Sequence, residues 1–244
     1  MEIHVEDHPG RAPATVWLHH GVGTAGAWDA LLPAAAGGRR ALAYDRRGFG
    51  ASERGRTVNA RLFDGDAADL AALLLDRGAA PAHLVGHSDG GTIALLCAAR
   101  RPELVLSVTA IATHVRGDPG TVGTLRAMGP PGGWEEGLRR NLRRVHGADW
   151  EEVAGAWYRL WTATEWSDTW SIEAELPAIR CPVLVCHDRR DALSPPLHAE
   201  ILAATVADVR VSWWDSGTHD PHRSDRTRLA AELEAFWERA EIAE

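Results

Sequence analysis

The run Gly86-His87-Ser88-Asp89-Gly90-Gly91 limits what this chain can fold into more than any other feature. An apolar, strand-like stretch over 82–87 leads into it, and the helical pattern Thr92-Ile93-Ala94-Leu95-Leu96 leads out. A serine on so tight a strand-to-helix turn needs a strained backbone, and residues without Cβ at Gly86 and Gly90 let the two elements close around it. The hydroxyl then projects outward. Short apolar runs around this turn alternate with longer helical patterns. Strands are expected over 14–19, 40–44, 82–87, 106–112, 182–187 and 209–214, with an edge strand at 3–6. Helices are expected over 27–36, 59–77, 90–101, 196–204 and 225–239. That order predicts an α/β fold with a mainly parallel central sheet flanked by helices.

The alternation stops between 115 and 175, where Gly, Pro, Arg and Trp replace the β-branched runs. This stretch reads as an inserted helical cap, so that 1–114 and 176–244 form the core and 115–175 the insertion. It opens with Gly117-Asp118-Pro119-Gly120, turns at Gly129-Pro130-Pro131-Gly132-Gly133, and carries helical spacing through Trp150, Val153, Trp157 and Trp161. Trp150, Trp157, Trp161, Trp166 and Trp170 either bury the inner face of the cap or wall a pocket, with Trp157 and Trp161 the pocket candidates.

Composition removes several chemistries. The 26 basic residues are all Arg, which excludes Schiff-base lysines and a phosphate-loop lysine. A net charge of −8 argues against nucleic-acid or membrane-surface partners and leaves a small-molecule substrate. Cys97, Cys181 and Cys186 lie in apolar surroundings and read as reduced core residues of a cytoplasmic protein. No signal segment is visible at the start, and no apolar run reaches membrane-spanning length.

A serine hydroxyl is a weak nucleophile, so Ser88 needs a base within reach and a carboxylate to fix the tautomer of that base. His219, in the loop after the last strand, is the expected base. His222 competes for that role but reads as a surface histidine. Asp191 is the expected acid, with Asp188 read as a turn or ion-pair residue and Asp118 as the alternative acid position. Acyl transfer also needs oxyanion donors, each contributing roughly 3 to 4 kcal/mol when well placed. The backbone N–H groups of Asp89 and Val22 are the candidates, the Asp89 side chain being expected to turn away and cap its helix. His19 and His87 read as packed loop histidines and His20 as a pocket residue. The spacing His219-Asp220-x-His222 does not define a metal site, and neither metal nor cofactor is expected. The cap residues Arg126, Arg139, Arg140, Arg143, Arg144 and Arg159 read as a solvated face, or as a clamp for a substrate carboxylate.

Together these residues resemble the α/β-hydrolase fold family. His20-Gly21-Val22-Gly23 is similar to its oxyanion loop, and Asp45-Arg46-Arg47-Gly48-Phe49-Gly50-Ala51-Ser52 to its Asp-x-Arg-Gly-x-Gly-x-Ser signature. The chain order Ser88, Asp191, His219 is that family's order. His187-Asp188 and Thr218 depart from its common pattern. The resemblance implies a serine hydrolase acting on a small, largely apolar carboxylic ester, thioester or lactone through an acyl-enzyme. Carbon–carbon bond hydrolysis and a cofactor-free lyase or cyclase reaction are the alternatives within the same fold.

Overall fold

Alternation of side chains along each strand sets the architecture. The computed structural model describes residues 2–55 and 57–242; Met1, Arg56, Ala243 and Glu244, within the expected core ranges, lie outside the described residues. In chain order the elements are β1 (Val5–His8), β2 (Arg11–Leu18), α1 (Leu32–Ala35), β3 (Arg39–Tyr44), α2 (Leu62–Asp76), β4 (Ala82–His87), α3 (Asp89–Arg100) and β5 (Val105–Ile111). Then follow α4 (Pro119–Met128), α5 (Glu136–His146), α6 (Trp150–Thr162), α7 (Thr164–Thr169), β6 (Val183–Asp188), α8 (Leu197–Thr205), β7 (Val209–Trp214), α9 (Pro221–Ser224) and α10 (Arg226–Ile242).

On β2, Val16 and Leu18 face one side of the sheet, where they join Leu70 and Leu74 of α2 and Ile93 and Leu96 of α3. Trp17 faces the other side, among Leu229, Leu233, Phe236 and Trp237 of α10. Both faces of the sheet are therefore covered, as a parallel sheet requires. The seven strands run in the order β1-β3-β2-β4-β5-β6-β7, all parallel except β1, which pairs antiparallel with β3. Because β3 and β4 lie on opposite sides of β2, the winding reverses there, and a crevice opens beyond the carboxyl ends of β2 and β4. The loop after β2 and the turn after β4 face each other across it.

Six expected strands coincide with observed ones to within a few residues, and the edge strand starts two residues later than expected. The helix expected over 27–36 does not form as one piece. A 3-10 turn at Ala25–Ala27 is followed by the single turn of α1. Trp28, buried between them, packs edge-on to Trp17 at 5.2 Å, and Pro33 lacks the N–H of a helix interior, so the helix can begin only at Leu32. Between β5 and β6 lie α4 to α7. The two ends of that stretch are tied by bonds from the Gly117 N–H to the Trp170 carbonyl (2.9 Å) and from the Ile172 N–H to the Val115 carbonyl (2.8 Å). Among the described residues no helix is long and apolar enough to cross a membrane.

Candidate active site

Ser88 sits between β4 and α3 with φ 54° and ψ −120°, a left-handed strain that a non-glycine residue adopts only when its surroundings impose it. Here they do. The Ser88 N–H donates to the Ile111 carbonyl at 2.8 Å, and its carbonyl accepts from Gly91 and Thr92. A Cβ at Gly86 would overlap the Gly90 carbonyl, and one at Gly90 would overlap the Leu18 carbonyl, as the sequence reading of both glycines requires. Gly91, not singled out from sequence, is equally constrained, because a Cβ there would collide with the buried Thr113 hydroxyl.

Asp191 lies just past β6 and His219 just past β7. His219 Nδ1 is 2.7 Å from Asp191 Oδ2; a carboxylate only accepts, so Nδ1 carries a proton, and in the neutral imidazole the lone pair is then on Nε2. Asp191 Oδ1 accepts from the Leu193 and Ser194 N–H groups at 2.8 and 2.9 Å. Burial works to raise its carboxyl, but these donors and His219 hold it below the usual carboxylate range. Asp188 ties the two loops together, accepting from the Arg190 N–H, the Ser216 hydroxyl and the Gly217 N–H. His187 donates through Nε2 to the Ser194 carbonyl at 2.7 Å. The departure at His187-Asp188 is thus a brace for the Asp191 loop. Asp118 caps α4 through the Thr121 N–H and pairs with His198 at 3.1 Å.

Asp89 does not cap its helix, contrary to expectation. Its Oδ2 accepts from Trp157 Nε1 at 2.9 Å and lies 3.7 Å from Arg46 Nη2, while Oδ1 has no partner. The reason is a buried cation that sequence reading left unassigned. Arg46, fully buried, pairs with Asp66 of α2 at 3.0 Å and donates to the His20 and Gly21 carbonyls at 3.1 and 2.9 Å. Burial pushes the Asp89 carboxyl up, with Arg46 and the Trp157 N–H pulling against it. His146 of α5 is a second residue not foreseen: it donates through Nε2 to the Val22 carbonyl (2.9 Å) and accepts the Gly50 N–H at Nδ1 (3.2 Å). Within the same signature loop Asp45 accepts from the Ala25 and Ala51 N–H groups, both at 2.7 Å.

Ser88, His219, His20 and Val22 line one cavity of about 220 Å³, which Trp134, Trp157, Trp161 and His114 also wall. Ser88 Oγ and His219 are not hydrogen-bonded to each other; such contacts commonly tighten only when substrate binds. The tryptophans divide. Trp157 and Trp161 face the cavity, Trp150 packs with Val22, Leu142 and Ala154, and Trp166 and Trp170 stack on each other at 4.8 Å and against Phe63 of α2. Arg126 and Arg159 bond outside the cavity, and Arg139 and Arg143 pair with Glu136; Arg144 reaches the cavity wall. His222 is not on the surface. It is 4% exposed, 5.3 Å from the Trp28 ring and 4.5 Å from the His87 ring, because the short α9 turns it inward.

A family model described as the alpha/beta hydrolase family matches residues 16–232. The chain belongs to the alpha/beta hydrolase family. It is 27% identical over 192 residues to serine hydrolase BPHL of Mus musculus, over 74% of this chain and 63% of that protein, so the match spans less than two thirds of the relative. Two solved structures share the fold. A thermophilic esterase from Thermogutta terrifontis is 22% identical at a TM-score of 0.76, over 98% of this chain and 93% of that one. Haloalkane dehalogenase DbeA from Bradyrhizobium elkani is 18% identical at 0.77, over the whole of both chains. An esterase and a dehalogenase on one scaffold show that the alpha/beta hydrolase fold does not choose the bond.

The fold buries several imidazoles and disfavours their charged form. Burial lowers His20 to about 3 and His83 and His87 to about 4, and holds His19, His114 and His222 well below their ordinary value. A histidine whose folded pKa is depressed binds fewer protons than the unfolded chain, whose value is about 6.5. Its contribution is complete above pH 6.5 and is lost as pH falls toward the folded value. The melting temperature is therefore expected to drop by roughly 10 °C between pH 7.5 and 5.5. Differential scanning calorimetry across that range checks this, and a flat profile down to pH 5 would contradict it.

Proposed function

We propose that this alpha/beta hydrolase cleaves a small, largely apolar carboxylic ester, thioester or lactone through an acyl-enzyme on Ser88. The observation that carries the reading is the strained Ser88 sharing one cavity with His219, whose Nδ1–H is held by the buried Asp191 at 2.7 Å. His219 Nε2 takes the hydroxyl proton as Ser88 attacks the carbonyl carbon, and returns it to the leaving oxygen or sulfur. Water then repeats the sequence on the acyl-enzyme. The developing oxyanion meets the backbone N–H groups of Asp89, first residue of α3, and Val22. A carboxylate one residue from that oxyanion would oppose it; Arg46 and the Trp157 N–H offset the charge, and His20 stays uncharged beside it.

The stretch 115–175 is the cap in this reading, supported by the bonds that draw its two ends together and by Trp157 and Trp161 over the cavity. Arg46 and His146 position the oxyanion loop through its carbonyls, while the apolar walls favour a small acyl group. Pre-steady-state hydrolysis of p-nitrophenyl butyrate tests the mechanism. A burst of p-nitrophenol close to one equivalent per chain, followed by slower turnover, is expected of an acyl-enzyme. Turnover with no covalent species trapped by acid quench would exclude it.

A further inference from the structure

Outside the proposed Ser88, His219 and Asp191 set, the fold brings a second histidine to Asp220 and His222, whose spacing alone defines no site. His87, at the end of β4, meets Asp220 and His222 from the loop and turn after β7, with one donor atom from each within 4.8 Å of the others. His87 donates through Nε2 to the His219 carbonyl at 2.9 Å, so its Nδ1 carries the lone pair; that nitrogen lies 3.9 Å from Asp220 Oδ1. His222 is 4% exposed, and its Nδ1 is buried with no hydrogen-bond partner. A buried His222 nitrogen without a hydrogen-bond partner, in a cluster where the lone pair of His87 Nδ1 faces the Asp220 carboxylate at 3.9 Å, is the pattern of an unfilled coordination shell.

We propose that His87, Asp220 and His222 form a binding site for a divalent transition metal, zinc being the best match to two imidazoles and one carboxylate. The His87 Nε2–H bond to a backbone carbonyl is the outer contact that metal-bound histidines ordinarily make. Zinc with bonds of about 2.1 Å brings its ligand atoms to about 3.4 Å from one another, so rotations of about an ångström close the shell. His87 and Asp220 line the cavity, which gives the ion an entry path and an open fourth position. One group opposes it: Arg223 Nη1 is 4.0 Å from Asp220 Oδ1, on a side chain more than half exposed that can swing into solvent. The ion would sit beside the ring of His219, which is 5.0 Å from that of His87. Under the proposed function, which this arm of the inference rests on, occupancy inhibits turnover by placing positive charge next to the base that must accept a proton.

Calorimetric titration of the full chain with zinc chloride, after removal of adventitious metal by chelation, tests the site. One zinc per chain is expected, weakened about 100-fold or more in Asp220→Asn and in His222→Gln. Asp220 is partly exposed, so Asp220→Asn keeps the test readable where His222→Gln does not fold. Absence of binding to the wild type, or unchanged affinity in folded Asp220→Asn, overturns the site. In parallel, saturating zinc should abolish p-nitrophenyl butyrate turnover by the wild type, reversibly on adding chelator. Full turnover with zinc demonstrably bound would overturn its placement beside His219 while leaving the serine mechanism intact.

Discussion

Ser88→Ala should lower the hydrolysis of p-nitrophenyl butyrate by about four to six orders of magnitude while the protein melts within a few degrees of the wild type. Under the proposed mechanism the activity loss is large because Ser88 and His219 act as a unit: without the hydroxyl, the imidazole has no serine proton to take and no covalent intermediate can form. The fold is spared because Ser88 contributes to its turn through the backbone, by the N–H bond to Ile111 and the carbonyl bonds to Gly91 and Thr92. Alanine keeps all of these. Its methyl group pays the same left-handed strain as serine, since both carry a Cβ. Steady-state kinetics and thermal melting of the purified variant check both halves. Retained turnover in a folded variant would mean that another group attacks.

Arg46→Met should lower stability by about 3–5 kcal/mol, because it removes the buried guanidinium that pairs with Asp66 and lies beside Asp89. Asp66 is 1% exposed and Asp89 is fully buried, so neither can turn to water. For a chain of this size that corresponds to a fall in melting temperature of roughly 10 °C or more. Activity should fall as well, since the His20 and Gly21 carbonyls lose the donor that fixes the loop carrying Val22. Arg46→Lys separates charge from geometry. It restores a cation but not the fork that reaches Asp66 and two carbonyls together, and should recover part of the stability and little of the loop's order. A melting temperature for Arg46→Met within 2 °C of the wild type would show that the buried cluster does not depend on its cation.

The sequence made Ser88, Asp191 and His219 legible because each follows an apolar strand at the carboxyl edge of a parallel sheet, where chain order alone orders the loops. Strand positions were legible for the same reason: buried strands of a parallel sheet read as short apolar runs. Arg46 was not, since it occupies the variable position of the Asp-x-Arg-Gly-x-Gly-x-Ser signature and its partner lies on another element. A trace of it was present in α2, where Asp66 falls at helical spacing among the inward residues Leu62, Phe63 and Leu70. The Asp89 capping expectation failed by the same omission, because a nearby buried guanidinium and an indole N–H compete for that carboxylate. His222 escaped because the four residues of α9 are too few to show a periodicity. The tryptophans of 115–175 divide by where they point: Trp157 and Trp161, one turn apart on α6, look into the cavity, Trp150 of the same helix packs with Val22 and Leu142, and Trp166 and Trp170 close against Phe63 of α2.

Whether Ser88 is an activated nucleophile is read from mass spectrometry after treatment with an active-site-directed fluorophosphonate. A single adduct is expected, mapped to the peptide containing Ser88 and missing from Ser88→Ala. A folded wild-type protein that stays unlabelled, or that carries its adduct on another residue, would contradict it.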